Sequence, residues 1–184
     1  KSADGSTTLA TTTSDVKGNY SFTVAPGNYQ VVETNGGVHT LDVSDKDGAG
    51  NTLNVIAVDA TAGDSTGNDF VDEPQRTISG NVSADTNNDN TGDTNLAGIT
   101  VTLKSADGST TLATTTTDVN GNYSFTVAPG NYQVVETNGG ANPLDVSDKD
   151  GAGNTLNVIA VDATAGNSTG NDFVDEPGRV ISGN

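Results

Sequence analysis

The chain carries an internal repeat with a period of 103 residues. Residues 1–81 align without a gap on residues 104–184, and 73 of the 81 aligned positions are identical. The eight positions that differ are Ser14/Thr117, Lys17/Asn120, Val38/Ala141, His39/Asn142, Thr40/Pro143, Asp64/Asn167, Gln75/Gly178 and Thr77/Val180. A unit of this length has the usual size of one domain, so the sequence predicts about 1.8 units of a tandem array. Lys1 opens in the middle of the pattern, and we therefore expect the chain to begin inside something longer.

Proline marks the boundaries of the unit. Residues 69–74 and 172–177 read as a strand end followed by a linker, because proline cannot continue a hydrogen-bonded ladder. The next run, residues 78–82, starts a new strand. These signals predict three segments: an incomplete β-sandwich repeat at 1–74 that lacks its first strand and loop, a complete β-sandwich repeat at 75–177, and the first strand of a following repeat at 178–184.

Composition and periodicity favour an all-β fold. Thr, Asn, Asp and Gly make up 92 of 184 residues, and helix formers are scarce, with four Glu and five Lys. Apolar residues are few but alternate with polar ones, as in Tyr123/Phe125/Val127, which argues against disorder. Seven strands are predicted in the complete unit, at 77–84, 98–103, 110–117, 123–127, 132–137, 156–162 and 172–174. Short antiparallel strands joined by turns such as Asn120-Gly121 predict a two-sheet, immunoglobulin-like sandwich.

The charge of the chain limits its partners. Twenty-four acidic residues against seven basic ones give a net charge of −17, which argues against nucleic acid or an anionic membrane as a ligand. The longest apolar run, residues 55–58 and its copy, is far shorter than the ~18 to 20 residues of a membrane span. We therefore predict no nucleic-acid partner and no membrane insertion.

Dense Asp/Asn loops predict calcium sites, because calcium takes roughly six to eight hard oxygen ligands. The first candidate is the alternating series Asp85, Asn87, Asp89, Thr91 and Asp93, which has the spacing of an EF-hand loop. Asn90 replaces the usual glycine at the sixth position, and asparagine tolerates the left-handed conformation needed there. Leu96 replaces the usual bidentate glutamate, so another loop would have to complete the ligand shell. The alternative is a solvated acidic loop.

Two further acidic clusters occur in both copies of the repeat. The second candidate is Asp145, Asp148, Asp150 and Asn154, with the copies Asp42, Asp45, Asp47 and Asn51. Its alternative is a plain Asp/Gly turn. The third lies in the predicted linkers: Asp175 and Glu176 after Asp172, with the copies Asp72 and Glu73 after Asp69. Carboxylates packed at a domain junction repel each other unless a cation lies between them, although a solvated hinge would look the same. Several Ca²⁺ ions per repeat are therefore predicted.

One series with metal-like spacing is better explained as a turn. Asp118, Asn120 and Asn122 alternate, but Lys17 replaces Asn120 in the other copy, and a lysine cannot bind calcium. A hairpin turn is predicted there instead.

Residues for enzymatic chemistry are lacking in the sequence. The single histidine, His39, is Asn142 in the other copy, there is no cysteine, and no serine lies in a nucleophile-elbow pattern. The many carboxylates lie in wet Asn/Gly loops, which do not raise a pKa as acid–base catalysis requires. The sequence predicts a protein that is not an enzyme.

Three motifs follow one another through the complete unit: ISGNVSADTNNDNTGDTNLAGITVTLKSADG, TDVNGNYSFTVAPGNYQVVET and NDFVDEP. In this order they resemble the SdrD B-like repeat, a Cna-B-related domain found in tandem in bacterial surface adhesins. The resemblance implies a prealbumin-like β-sandwich, bound calcium and a stalk or adhesin role. Cna-B relatives often carry a Lys–Asn isopeptide bond with a nearby acid as proton shuttle. Glu136 stands where that acid is implied, but residues 77–84 contain no lysine, so we expect no cross-link and a strand-end or metal-facing role for Glu136.

Together these features predict an extracellular, elongated tandem array of calcium-stabilised β-sandwiches at the bacterial cell surface. The array would serve as the stalk, spacer or filament body of an adhesin, with neighbouring repeats of the same chain as its partners. One alternative is a self-assembling filament subunit in which a strand passes between chains. A carbohydrate-binding module is a weaker alternative, because sugar platforms need exposed aromatic rings and the chain has four Tyr and no Trp.

Overall fold

The alternating apolar segments form strands throughout the structure. The computed structural model describes residues 1–48, 52–151 and 155–183, so the predicted ligands Asn51 and Asn154 lie outside the described residues. The described chain is all-β and contains no helix, so none of it forms an apolar helix that could cross a membrane. It divides into two compact units, Lys1–Pro74 (unit 1) and Gln75–Asn184 (unit 2). The predicted all-β fold class is confirmed.

Unit 2 is a β-sandwich of two sheets. Its strands are β5 (Arg76–Ala84), β6 (Thr94–Asn95), β7 (Thr100–Ser105), β8 (Thr111–Thr116), β9 (Asn122–Val127), β10 (Asn131–Thr137), β11 (Leu144–Asp148), β12 (Val158–Asp162) and β13 (Phe173–Glu176). One sheet has the order β12-β10-β7-β8, and the other has the order β11-β13-β5-β6 with β9 also paired to β5. The strand pairs are antiparallel except β13 and β5, which run parallel.

The strands of unit 2 match the predicted ones with two additions. All seven predicted strands are present, and β6 and β11 are additional. The sequence predicts an acidic loop at the position of β11, because Asp145 and Asp148 interrupt its apolar residues. Pairing with β13 holds this segment extended despite its unfavourable composition, which is a tertiary effect that local propensity does not report.

The core of unit 2 lies between the two sheets. Alternate residues of β9 point inward, so Tyr123, Phe125 and Val127 are buried while their neighbours are exposed. The Tyr123 ring lies 6.0 Å from Phe125 and 6.3 Å from Phe173, centroid to centroid. The buried hydrophobic cluster consists of Ile78, Val82, Ile99, Val101, Leu103, Tyr123, Phe125, Val127, Val134, Ile159, Val161, Ala163 and Phe173.

Unit 1 is less completely paired. Its strands are β1 (Asn28–Val32), β2 (His39–Asp45), β3 (Val55–Asp59) and β4 (Phe70–Pro74), which form the two-stranded sheets β1-β3 and β2-β4. Residues 8–13 and 19–24 match β8 and β9 in sequence but are not strands, because the described part of unit 1 has no counterpart of β5 and only the end of β7. As a result, Phe22 is 39% exposed, whereas its counterpart Phe125 is 6% exposed.

Candidate metal centre

Three strands of unit 2 bring three carboxylates together. Oxygen atoms of Glu136, Asp145 and Asp175 lie within 4.8 Å of one another, the one such acidic group found among the described residues. Glu136 lies on β10 in one sheet, whereas Asp145 and Asp175 face each other in register on β11 and β13 of the other sheet. We call these three residues the carboxylate cluster.

Strand periodicity explains why two of these acids are inside the sandwich. Successive side chains of a strand point to opposite faces, so Glu136 shares the inward face of β10 with Val134. Asp175 likewise shares the inward face of β13 with Phe173. Glu136 is 3% exposed and Asp175 is fully buried.

The buried carboxylates have no hydrogen-bond partners. Both side-chain oxygens of Glu136 and both of Asp175 are buried and unpaired. The third member, Asp145, is exposed, and its Oδ1 accepts hydrogen bonds from Asn157 Nδ2 at 2.7 Å and from the Asn138 amide. A buried carboxylate without a partner is costly, so these oxygens require either protons or a cation.

The electrostatics of the carboxylate cluster favour neutralisation. Burial raises the pKa of Glu136 to about 8, and the neighbouring charges of Asp175 and Asp145 add to that rise. Burial, and then the charge of Asp145, raises the pKa of Asp175 to about 7. Near neutral pH, the cluster therefore binds a positive charge or a proton more readily than ordinary surface acids do.

Unit 1 contains the same three acids at equivalent positions. They are Glu33, Asp42 and Asp72, and Asn35 Nδ2 donates to Asp42 Oδ1 at 2.6 Å, as Asn138 does to Asp145. Burial raises the pKa of Glu33, followed by the effects of Asp72 and Asp42. Glu33 Oε2 is buried without a partner.

In the EF-hand-like loop, side-chain oxygens accept hydrogen bonds from the backbone of the same loop. Asp85 is 1% exposed, and its carboxylate accepts four backbone N–H groups, including those of Asn88 at 2.6 Å and Asn90 at 2.7 Å. Burial raises the pKa of Asp85, but these hydrogen bonds outweigh it and hold the pKa below its usual value. Asn90 has a φ of 65°, the left-handed conformation expected at the glycine position.

Other predicted calcium ligands of this loop also accept hydrogen bonds from donors within the loop. Asn87 Oδ1 accepts the N–H of Asp89 at 2.9 Å, and Asp89 Oδ1 accepts that of Thr91 at 2.9 Å. Asp93 Oδ2 accepts the backbone N–H and hydroxyl of Thr86. Within the described residues, the carboxylates of Asp85, Asp89 and Asp93 do not form a group as close as the carboxylate cluster.

The second predicted acidic cluster is divided by the structure. Asp145 is grouped with Glu136 and Asp175 in the carboxylate cluster, and not with Asp148 and Asp150. Asp148 Oδ1 accepts the backbone N–H of Asp150 at 3.0 Å, and Asp150 Oδ2 accepts that of Ala160 at 3.0 Å. Asp148 Oδ2 is buried without a partner, and burial raises the Asp148 pKa.

The copy of this cluster in unit 1 is arranged in the same way. Asp45 Oδ1 accepts the backbone N–H of Asp47 at 3.0 Å, and Asp47 Oδ2 accepts that of Ala57 at 3.1 Å. Asp45 Oδ2 is buried and has no partner.

The third predicted cluster lies on strands and not in linkers. Asp175 and Glu176 are adjacent on β13, so their side chains point to opposite faces and do not share one site. Asp72 and Glu73 are adjacent on β4 in the same way. Asp172, just before β13, accepts the backbone N–H of Asn81 at 2.8 Å.

The series at Asp118 forms the expected turn. Asp118 Oδ1 accepts the backbone N–H groups of Asn120 and Asn122, each at 2.8 Å. Asp15 makes the equivalent bonds to Lys17 and Asn19 in unit 1. The carboxylate therefore caps the turn in both copies, with lysine or asparagine at the variable position.

The sequence assigns Glu136 a strand-end or metal-facing role but does not group it with the predicted calcium ligands. The sequence signal for the inward position of Glu136 is the alternation Tyr132/Val134/Glu136. It continues the inward face of β10 and so places a carboxylate inside the sandwich.

The chain is similar in sequence to a known domain family and to staphylococcal proteins. The sequence model of the SdrD B-like domain matches residues 76–174. Serine-aspartate repeat-containing protein E of Staphylococcus aureus (strain MSSA476) is 35% identical over 87% of this chain and 15% of its own length. Bone sialoprotein-binding protein of S. aureus (strain MRSA252) is 34% identical over 84% of this chain and 15% of its own length. The chain thus spans about 15% of the length of these relatives.

Solved pilin structures also align with the chain. Shaft pilin spaA from Lactobacillus rhamnosus GG aligns with a TM-score of 0.44 and 15% identity, over 78% of this chain and 64% of its own. BcpA, the major pilin subunit of Bacillus cereus, aligns with a TM-score of 0.43 and 14% identity, over 80% of this chain and 41% of its own.

The family match covers more than half of the chain, including the core of unit 2 and most of the carboxylate cluster. The staphylococcal relatives confirm the predicted location at the bacterial cell surface and the prediction that the protein is not an enzyme. The chain belongs to the SdrD B-like domain family, as its three sequence motifs predicted.

Proposed function

We propose that this chain is a calcium-stabilised structural segment in the stalk, spacer or filament body of a bacterial surface adhesin. The observation that carries the proposal is a set of buried carboxylate oxygens without hydrogen-bond partners. Among the described residues there are seven such oxygens, and they belong to Glu33, Asp45, Glu136, Asp148 and Asp175. Calcium is a hard cation that binds carboxylates, and it would remove the cost of burying them.

Calcium binding would stabilise the folded chain through mass action. A ligand that binds only the native state adds RT ln(1 + [L]/Kd) for each site. Extracellular calcium modules bind at roughly 10⁻⁴ to 10⁻³ M, so millimolar calcium would hold the sandwich in its folded state. A net charge of −17 would otherwise oppose compaction through repulsion between the acids.

The proposed ligands are the calcium ligands predicted from the sequence together with Glu136. In the loop between β5 and β6 they are Asp85, Asn87, Asp89, Thr91 and Asp93. Further along the sequence they are Asp145, Asp148, Asp150, Asn154, Asp175 and Glu176, and their copies in the first repeat are Asp42, Asp45, Asp47, Asn51, Asp72 and Glu73.

The EF-hand-like loop can be tested separately from the turn at Asp118. Asp89→Ala removes a carboxylate from the middle of the alternating series, whereas Asp118→Ala removes one that caps a turn in both copies. Calorimetric titration with calcium should show weaker binding for Asp89→Ala and little change for Asp118→Ala. Equal losses in the two variants would contradict the distinction between site and turn.

A second candidate function is a filament subunit joined by strand exchange between chains. It is favoured by the exposure of Phe22, which is 39% against 6% for Phe125, whose strand β9 pairs with β5. Residues 181–184 repeat the sequence of residues 78–81 in β5, so a second copy could supply a strand of this type. Light scattering after size-exclusion chromatography tests this candidate, and a calcium-loaded monomer at all concentrations would exclude it.

A further inference from the structure

We infer that Glu136, Asp145 and Asp175 form a divalent-cation site inside the sandwich, which ties one sheet to the other. The inference rests on the proposed function, because calcium is the hard cation that it names. It goes further by assigning a buried site that combines acids from separate parts of the sequence and includes Glu136.

The positions of the three acids give the site its mechanical role. Glu136 belongs to the sheet of β10, and Asp145 and Asp175 belong to the sheet of β11 and β13. Among the described strands, no backbone ladder joins these two sheets, which are held together by side-chain packing. A cation bound by acids of both sheets would therefore add a direct link across the core.

Unpaired buried oxygens provide independent support for a ligand. Glu136 is 97% buried and Asp175 is fully buried, and both of their carboxylates point into the cluster without a hydrogen-bond partner. Acids placed together for other structural reasons normally accept hydrogen bonds from nearby donors, as Asp85 does from four backbone N–H groups. The four unpaired oxygens of Glu136 and Asp175 instead offer the ligand atoms that calcium uses.

Asp145 connects the carboxylate cluster to solvent, and its carboxylate is held in place by hydrogen bonds. It is exposed, so a cation can reach the buried pair through it. Asn157 and Asn138 both donate to Asp145 Oδ1, and Asn157 also donates to Asn138 Oδ1 at 2.5 Å. These amides orient the carboxylate, which is how second-layer residues position metal ligands.

The other copy of the repeat has the equivalent acids, but their oxygens are not grouped within 4.8 Å as those of the carboxylate cluster are. Glu33, Asp42 and Asp72 are the equivalent acids, and none of them is among the eight positions that differ between the copies. Asn54 Nδ2 donates to Asn35 Oδ1 at 2.8 Å, as Asn157 does to Asn138. The equivalent acids of unit 1 are thus retained in a more open arrangement, and the site is assigned to unit 2.

The test is Glu136→Gln in the full chain, with calcium as the probe. This substitution keeps the side-chain volume and removes one charged ligand. Asp64→Asn is the matched control, because it removes one negative charge and the other copy already has asparagine at this position, Asn167. Calcium stoichiometry and affinity are measured by calorimetry, and melting temperatures are measured in calcium and in excess EDTA.

We expect Glu136→Gln to differ from the wild type in calcium binding and in the effect of calcium on its melting temperature. Glu136→Gln should bind one calcium fewer than the wild type, or bind it at least tenfold more weakly, and its calcium-induced rise in melting temperature should be smaller. In EDTA it should melt cooperatively and no lower than the wild type, which shows that it folds. Asp64→Asn should behave as the wild type does.

Three results would overturn the inference. If Glu136→Gln binds calcium with unchanged number and affinity while the wild type binds normally, the buried site is wrong and the proposed function survives. The buried site is also wrong if Glu136→Gln melts above the wild type by the same margin in calcium and in EDTA. Protons, and not calcium, would then neutralise the carboxylate cluster of the wild type. If the wild type binds no calcium at all, the proposed function fails together with the inference.

Discussion

The two copies of the repeat allow one core substitution to be made in two different surroundings. Phe125 and Phe22 occupy equivalent positions in nearly identical sequence, but they are 6% and 39% exposed. Phe125 lies on β9, directly paired with Ile78 of β5, and its ring is next to Tyr123, whereas Phe22 lies in a unit whose described residues include no counterpart of β5. We expect Phe125→Ala to destabilise its unit far more than Phe22→Ala destabilises the other.

The magnitude follows from burial. Removing a well-packed phenylalanine costs about 3–5 kcal/mol, because the cavity adds to the lost transfer free energy. Phe22 buries only about three fifths of its surface and borders an open groove, so Phe22→Ala should cost roughly 1–2 kcal/mol. For a unit of this size, about 3 kcal/mol lowers the melting temperature by roughly 10–20 °C.

Differential scanning calorimetry of the full chain, with calcium present, measures both substitutions. Losses of equal size would refute the reasoning, because they would show that Phe22 is as well covered as Phe125 in solution. A leucine substitution at each position serves as the control, since it retains most of the apolar volume and should reduce the difference between the two positions.

Two further predictions concern the carboxylate cluster and the contact between β5 and the segment before β13. In EDTA, the raised pKa of Glu136 means that its protonated form contributes stability that is fully present below its ordinary value of 4.5 and is lost as the pH rises through about 8. The melting temperature of the wild type should therefore fall relative to that of Glu136→Gln over this range, and parallel curves would contradict the burial of the acid. Gly80→Ala should destabilise unit 2 by roughly 2 kcal/mol or more, because its Cβ would lie 1.9 Å from the backbone oxygen of Asn171. Gly140→Ala, which meets nothing within 4 Å, should change stability by less than about 0.5 kcal/mol in the same denaturation assay, and equal effects would contradict the close approach at Gly80.

Most of the fold could be predicted from the sequence because its strands alternate strongly. β9 is the clearest case, since every second residue from Tyr123 to Val127 is apolar and buried. β11 could not be recognised in this way, because Asp145 and Asp148 give it the composition of a loop. Its extended form depends on pairing with β13, which follows it by more than twenty residues.

The candidate site was predictable in its chemistry but not in its grouping. Spacing along the chain groups Asp145 with Asp148, and Asp175 with Glu176. In a strand, however, adjacent side chains point to opposite faces, and partners come from neighbouring strands. The grouping of Asp145 and Asp175 with Glu136 therefore depends on strand pairing and sheet packing, which local spacing does not encode.

The central claim is that calcium stabilises the folded chain. The most direct measurement is the melting temperature of the 184-residue protein in millimolar calcium and in excess EDTA, at the same pH and ionic strength. Each site adds about 1.4 kcal/mol when free calcium is ten times its Kd, so several sites should raise the melting temperature by many degrees. We predict a clear rise that returns to the EDTA value when calcium is chelated, and equal melting temperatures under the two conditions would contradict calcium stabilisation.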